Sequence, residues 1–380
     1  MIRKYIIFQI AFSIFFLFSS QVLAKKTAED YYNKGVEYQD SGKDEKAKKM
    51  YEKALELEPH HADAHCNLGI IFSKENLLDK ALEHFNICVM VDTSSVEGYS
   101  NLGAIYRQKG EYPKAEEVYK KAITLAPDDA ISHYNLGILY LDNYKYPKAI
   151  DSFKKSVELK DTFTQAYINL GVAYHRRGKV DDALKSYEKA FELDPENPQN
   201  LVNMANIYME MNLPEKAEEL YKKVIERNPK SSSLYYNLGI LYGRMGNFEM
   251  EIEMYNKVLE ISPKFEGIYN SMGTAYVNLK KYNQAKQYYR KEIKLHPKDI
   301  STLCNLAALL VETKSYIESI SIYNEVLKIE KDYGPAYFGI ALNYAFMEKY
   351  DSAWEFLKKA EAKGVNVDNL RKQLEEIAPE

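Results

Sequence analysis

Apolar and polar positions recur along this chain with a period of 34 residues. Asn-Leu-Gly stands at 67–69, 101–103, 135–137, 169–171 and 237–239, and Asn203-Met204-Ala205 fills the gap before the last of these. A frame begun at Ala28 gives ten blocks without insertion: 28-61, 62-95, 96-129, 130-163, 164-197, 198-231, 232-265, 266-299, 300-333 and 334-367. Position 4 of the block is aromatic or Leu, position 8 is Gly or Ala, and position 11 is Tyr or Phe in all blocks but the one with Leu310. Position 20 is Ala in eight blocks, position 24 is Tyr or Phe in nine, and Pro closes six blocks at position 32. Positions 4, 7, 8 and 11 form one stripe of a helix at 3.6 residues per turn. Positions 20, 24 and 27 form the stripe of a second helix. Small residues at 8 and 20 allow close approach of the two backbones, and the prolines end the second helix. One such hairpin cannot bury its apolar faces alone, so neighbours must stack. The last periodic residues predict a capping helix, 368-380. Asp368 is its expected N-cap, and Leu370, Leu374 and Ile377 its expected buried face.

The spacing and residue types resemble the tetratricopeptide repeat family over most of the chain. The resemblance implies an all-α, right-handed superhelical solenoid of about ten 34-residue helix-turn-helix repeats plus a C-terminal capping helix. It also implies that position 6 faces a concave groove. That position reads Asn33, Asn67, Asn101, Asn135, Asn169, Asn203, Asn237, Ser271, Asn305 and Gly339. Asn is a mediocre helix former, so helix propensity does not explain the row. It resembles the asparagine ladder in the repeat region of O-linked N-acetylglucosamine transferases, where amides hold the backbone of an extended peptide. A carboxamide offers the donors and acceptor that a peptide unit needs. The competing reading is that these amides bond to neighbouring helices and serve packing. Position 5 adds Tyr32, Tyr134 and Tyr236 as candidate contacts. A family subset that clamps a terminal carboxylate uses Lys and Arg at positions 2, 5 and 6, and none stands there in this chain.

Composition narrows the function. The 51 Lys and Arg against 55 Asp and Glu give a net charge of −4, which leaves no basic field for nucleic acid. Of 33 tyrosines, most fall at positions 4, 11 and 24 and therefore build the frame. Three cysteines cannot make a disulfide framework. Cys88, at position 27, reads as core, and Cys66 and Cys304 lie too many repeats apart to pair. His61 and His65 have metal-ligand spacing on a helix, but His65 occupies the aromatic position 4 and His61 a connecting loop. The expectation is no metal. Motifs for phosphate-binding loops, zinc proteases and serine hydrolases are lacking, so no enzyme activity and no cofactor are expected. Glu251 at position 20 and Glu292 at position 27 replace small residues. They suggest either a loosely packed, bendable junction or side chains that snorkel to solvent.

Residues 1-24 read as a signal peptide: Arg3 and Lys4, an apolar run to Phe18, and Val22-x-Ala24 before Lys25. Retained, the same stretch is an anchor that leaves the chain facing outward. No asparagine lies in an Asn-x-Ser/Thr sequence, which points to a bacterial periplasm. The expected function is an exported scaffold that binds an extended segment of a protein or peptide partner in its groove. The alternatives are an accessory of envelope polysaccharide or cell-wall assembly that contacts glycan, and a self-associating rod.

Overall fold

The computed structural model describes residues 26–378. Residues 1–24, read as the signal, lie outside the described residues. The described chain divides into two compact units between Glu196 and Asn197. Unit 1 holds α1 (Ala28–Asp40), α2 (Asp44–Leu57), α3 (Ala62–Lys74), α4 (Leu78–Val91) and α5 (Val96–Gln108). It continues with α6 (Tyr112–Leu125), α7 (Ala130–Asp142), α8 (Tyr146–Leu159), α9 (Thr164–Arg176) and α10 (Val180–Leu193). Unit 2 holds α11 (Pro198–Glu210), α12 (Pro214–Arg227), α13 (Ser232–Arg244), α14 (Phe248–Ile261), α15 (Ile268–Asn278) and α16 (Tyr282–Leu295). It ends with α17 (Ile300–Glu312), α18 (Tyr316–Ile329), α19 (Gly334–Phe346), α20 (Tyr350–Ala362) and α21 (Asp368–Ile377). The described residues contain no strand, and the fold is an all-α helical-repeat solenoid.

The repeats with glycine at position 8 close on one contact. The ring at position 24 of the second helix lies against the small residue at position 8 of the first. A Cβ on Gly171 would sit 2.4 Å from the Tyr187 ring, and one on Gly137 would sit 2.6 Å from Phe153. The rings are buried, as are the alanines at position 20. This lock sets the distance between the helices of a pair.

The turn inside each repeat has a device the frame did not predict. Position 15 takes a left-handed conformation in all ten repeats. Gly42, Gly110, Gly178 and Gly246 adopt it freely, and Asn76 and Asn212 tolerate it. Tyr144, Lys280, Lys314 and Glu348 adopt it with a side-chain penalty. The return is satisfied carbonyls: Gly42 N–H donates to Gln39 O at 2.9 Å and Lys43 N–H to Tyr38 O at 2.8 Å. Tyr144 keeps its ring 78% exposed.

Between repeats, position 34 caps the next helix in five blocks. Ser95, Asp129, Asn197 and Asp299 each accept a backbone N–H from the first turn that follows. In the eighth block the first helix begins only at Ile268, behind a left-handed Gly267.

Two expectations about the C-terminal helix need correction. Asp368 is not its N-cap: Val367 holds that place, and the Asp368 N–H is taken by Asn366 Oδ1 at 3.0 Å. Leu370 and Leu374 are buried, but Ile377 is 64% exposed, because the helix ends before its third turn reaches the core. The Trp354 indole N–H instead fastens the end of the chain, donating to Ala378 O at 2.9 Å.

Glu251 and Glu292 do not snorkel to solvent. Glu251 is 8% exposed and Glu292 2%. Glu251 Oε1 accepts from Tyr255 Oη at 3.0 Å, while Oε2 is buried without a partner. Room for the carboxylate comes from Gly243, whose Cβ would lie 2.7 Å from Oε2. Burial pushes the Glu251 carboxyl above its ordinary range, against the pull of the Tyr255 hydrogen bond.

Candidate functional site

The position-6 residues lie on the first helix of each pair, one residue before a position 7 that is a buried Leu, Met or Ile in every block but the first, which has Lys34. Asn67, Asn101, Asn135, Asn169, Asn203, Asn237 and Asn305 are half-buried, and Asn33 is exposed. Their hydrogen bonds divide them. Asn67 Nδ2 donates to Tyr51 Oη at 3.2 Å and lies 3.5 Å from Tyr32 Oη. Asn169 Nδ2 donates to Tyr134 Oη at 2.9 Å. Asn305 Nδ2 donates to Asn270 Oδ1 at 2.9 Å. Ser271, which replaces the amide in the eighth repeat, lies 3.2 Å from Tyr236 Oη. Asn33 donates to Glu29 Oε1 at 3.1 Å within its own helix. Asn203 Oδ1 accepts from Gln199 Nε2 at 3.1 Å, and its own N–H donors have no partner. Asn101, Asn135 and Asn237 make no side-chain hydrogen bond among the described residues.

The three tyrosines singled out at position 5 share one environment. Tyr134 packs between Phe153 and Phe163, with centroids 5.8 and 4.9 Å away. Tyr236 packs between Tyr255 and Phe265 at 5.6 and 5.0 Å. Tyr32 packs between Tyr51 and His61 at 5.8 and 4.8 Å. Burial raises the Tyr134 phenol above its ordinary value, against the Asn169 hydrogen bond that lowers it. Unit 2 also carries a cavity of about 650 Å³, open to solvent, whose lining includes Gln199, Val202, Lys230, Leu234 and Asn237.

The sequence reading missed a disulfide. Cys66 and Cys88 are bonded, with Cα atoms 5.4 Å apart. Positions 5 and 27 of one repeat face each other across α3 and α4, so two cysteines in the same block meet. Cys88 is core, as expected, but as half of a crosslink. Gly98 lies over it, and a Cβ there would sit 3.2 Å from Cys88 Sγ. Cys304 is free.

His61 and His65 are committed to other partners. His61 Nδ1 accepts the Ala64 N–H at 3.3 Å and caps α3. His65 Nε2 lies 3.0 Å from Pro59 O, so it must be protonated and donate. That leaves His65 Nδ1 as the acceptor for His84 Nδ1–H at 2.9 Å. Arg107 pairs with Asp142. Burial, then the neighbouring His65, depresses the His84 pKa to about 4.

A histidine depressed when folded favours the native state fully above its unfolded value, near 6.5. That stability is lost as pH falls through about 4. The shift corresponds to about 3 kcal/mol, and partial solvent screening of the ring reduces it to about 2 kcal/mol. Urea unfolding at pH 7 and pH 4.5 should therefore show a steeper acid loss for the wild type than for His84→Phe. Equal losses would remove the histidine pair from the acid response.

Comparison with curated proteins returned no match. Family models described as tetratricopeptide repeat match residues 28–61, 50–83, 134–198, 174–239, 232–265 and 267–299, and one described as TPR repeat matches 103–143. The chain is similar to the crystal structure of MamA, at 30% identity over 43% of this chain and 95% of that one, with a TM-score of 0.40. It is similar to YrrB, described as a TPR protein with an unusual peptide-binding site, at 26% identity over 47% and 92%, with a TM-score of 0.39. A tetratricopeptide repeat protein from Parabacteroides merdae shares the fold at 21% identity over 65% and 97%, with a TM-score of 0.53. With the frame, the helix pairs and the family-model matches in agreement, the chain belongs to the tetratricopeptide repeat family.

Proposed function

We infer that the protein is an exported, non-catalytic scaffold that binds an extended segment of a partner polypeptide along the first helices of its repeats. Tetratricopeptide repeats generally build protein-binding scaffolds. The observation that carries the finer reading is the row of half-buried amides, in which Asn101, Asn135 and Asn237 keep donor and acceptor unused. Half-buried amides without partners gain most from a ligand that brings its own N–H and C=O groups. The disulfide supports export, since such bonds persist in oxidising compartments. The signal-like residues 1–24 and the lack of glycosylation sequences favour a bacterial periplasm. No helix of the described residues is long and apolar enough to cross a membrane.

Selection of a phage-displayed library of random linear dodecapeptides on the full exported chain tests this reading. Enrichment of peptides that also bind in free form is the expected result. Binding on a glycan array with no peptide enrichment would replace it with the envelope-polysaccharide reading.

A further inference from the structure

The amides are not equivalent, and their differences follow a cycle of three repeats. Tyr-Asn-Leu-Gly-Ile-Leu-Tyr stands at both 134–140 and 236–242, three repeats apart. The surroundings repeat with it. Tyr140 Oη donates to Glu116 Oε1 at 2.9 Å, and Tyr242 Oη donates to Glu218 Oε1 at 2.7 Å. Lys120 and Lys222 pair with those same glutamates. Within the cycle, the groove tyrosine of one repeat reaches the position-6 residue of the next: Tyr32 to Asn67, Tyr134 to Asn169 and Tyr236 to Ser271.

The tyrosine is held by an aromatic ring at position 34. Phe163 and Phe265 occupy a place where other repeats carry a helix-capping Ser, Asp or Asn. Their helices α9 and α15 begin without a side-chain cap. A cap contributes stability, so its absence there fits a place given over to fixing the tyrosine. Where position 5 is Cys66, Ser100 or Val202, nothing reaches the next amide, and Asn101, Asn135 and Asn237 stay unpaired. Cys66 is withdrawn from the row by its bond to Cys88. Asn237 faces the unit 2 cavity, which no tyrosine at position 5 fills.

We propose that an extended polypeptide ligand is held in unit 1 by a window of consecutive uncapped amides, Asn101 with Asn135. The tyrosine-capped Asn67 and Asn169 are positioning residues that stiffen the row without touching ligand. The proposal rests on the peptide-binding reading above and deepens it. A capped carboxamide has spent an N–H on a phenol oxygen, so a peptide carbonyl can only compete for it. An uncapped one offers both donors and its acceptor to a single peptide unit. For Asn101, Asn135 and Asn169, position 5 of the preceding repeat therefore decides whether the amide is left for ligand.

The test uses peptides enriched from the random dodecapeptide library, measured by fluorescence anisotropy against the full exported chain. Asn101→Ala with Asn135→Ala should weaken binding at least about tenfold, since several hydrogen bonds of modest net value are lost together. Asn67→Ala with Asn169→Ala should leave binding within about twofold but lower the melting temperature. Asn101→Asp with Asn135→Asp keeps size and acceptors, removes the donors, and should reproduce the loss with the fold intact. Equal weakening by the capped and uncapped pairs, or no weakening by the uncapped pair, overturns the assignment while leaving peptide binding in place. A library that yields no binder overturns the peptide-binding reading itself, and this assignment with it.

Discussion

Cys66→Ser combined with Cys88→Ala should lower the stability of the second repeat by about 3 kcal/mol, and added reductant should lower the wild type by a similar amount. The bond closes a loop across a sequence separation of 22. Chain entropy for a loop of that size gives about 3 kcal/mol. The replacements are chosen to isolate the crosslink. Position 27 is Ala in Ala54, Ala122 and Ala190, so alanine at 88 restores the ordinary residue. Cys66 is half-buried, so its hydroxyl replacement can reach water. Repeat arrays unfold piecewise, and a global melting curve would dilute the effect. The sharper measurement is hydrogen exchange in α3 and α4, where protection should fall in the double variant and become insensitive to reductant. Unchanged exchange with and without reductant would show that the crosslink contributes nothing.

That crosslink also marks where sequence reasoning stopped. The repeat frame was legible because each of its residues performs the same packing task ten times. Gly137 meets Phe153, and Gly171 meets Tyr187, by one rule that a fixed spacing exposes. Features that occur once lack this amplification. Cys66 and Cys88 stand at positions whose facing relation is visible only when the two helices of a pair are superposed on one another. The left-handed turn was signalled by Gly and Asn in six repeats, but Tyr144, Lys280, Lys314 and Glu348 concealed its generality. The asparagine row was legible as a row. Which members are capped was not, because the deciding residue sits in the preceding repeat, as Tyr134 does for Asn169. The position-5 tyrosines stand apart from the frame, and their rings pack against neighbours such as Phe163 and Phe265.

Gly243→Leu should destabilise unit 2 by about 3 kcal/mol in the wild type and should cost little, or stabilise, in a Glu251→Ala background. Position 12 carries Leu141 and position 20 carries Ala149 in the fourth repeat, so the double variant copies a pair the fold already accepts. In the seventh repeat the glycine is there for the carboxylate. A single added Cβ would lie 2.7 Å from Glu251 Oε2 and 2.8 Å from its Cδ. The displaced carboxylate would lose its Tyr255 bond, and its second oxygen is already unpartnered. Overpacking costs typically 1–3 kcal/mol, roughly the same again being due for a buried polar group left unpaired. Removing the carboxylate first abolishes both penalties. Leucine then also replaces a glycine in the last turn of α13, worth up to about 1 kcal/mol in helix propensity. The two substitutions should therefore be strongly non-additive, with a coupling on the order of 3 kcal/mol in a double-mutant cycle. Additive effects would mean that Gly243 and Glu251 are independent, and that the carboxylate is accommodated by some other neighbour. The acid limb supplies a second check on the same contact. Burial raises the Glu251 pKa, so the native state holds its proton more tightly than the unfolded chain does. That contribution is fully present below the unfolded carboxylate value and is lost as pH rises through the folded one. Glu251→Ala should accordingly gain on the wild type as pH rises from 4 to 7, because only the wild type must then bury an ionised carboxylate or hold its proton.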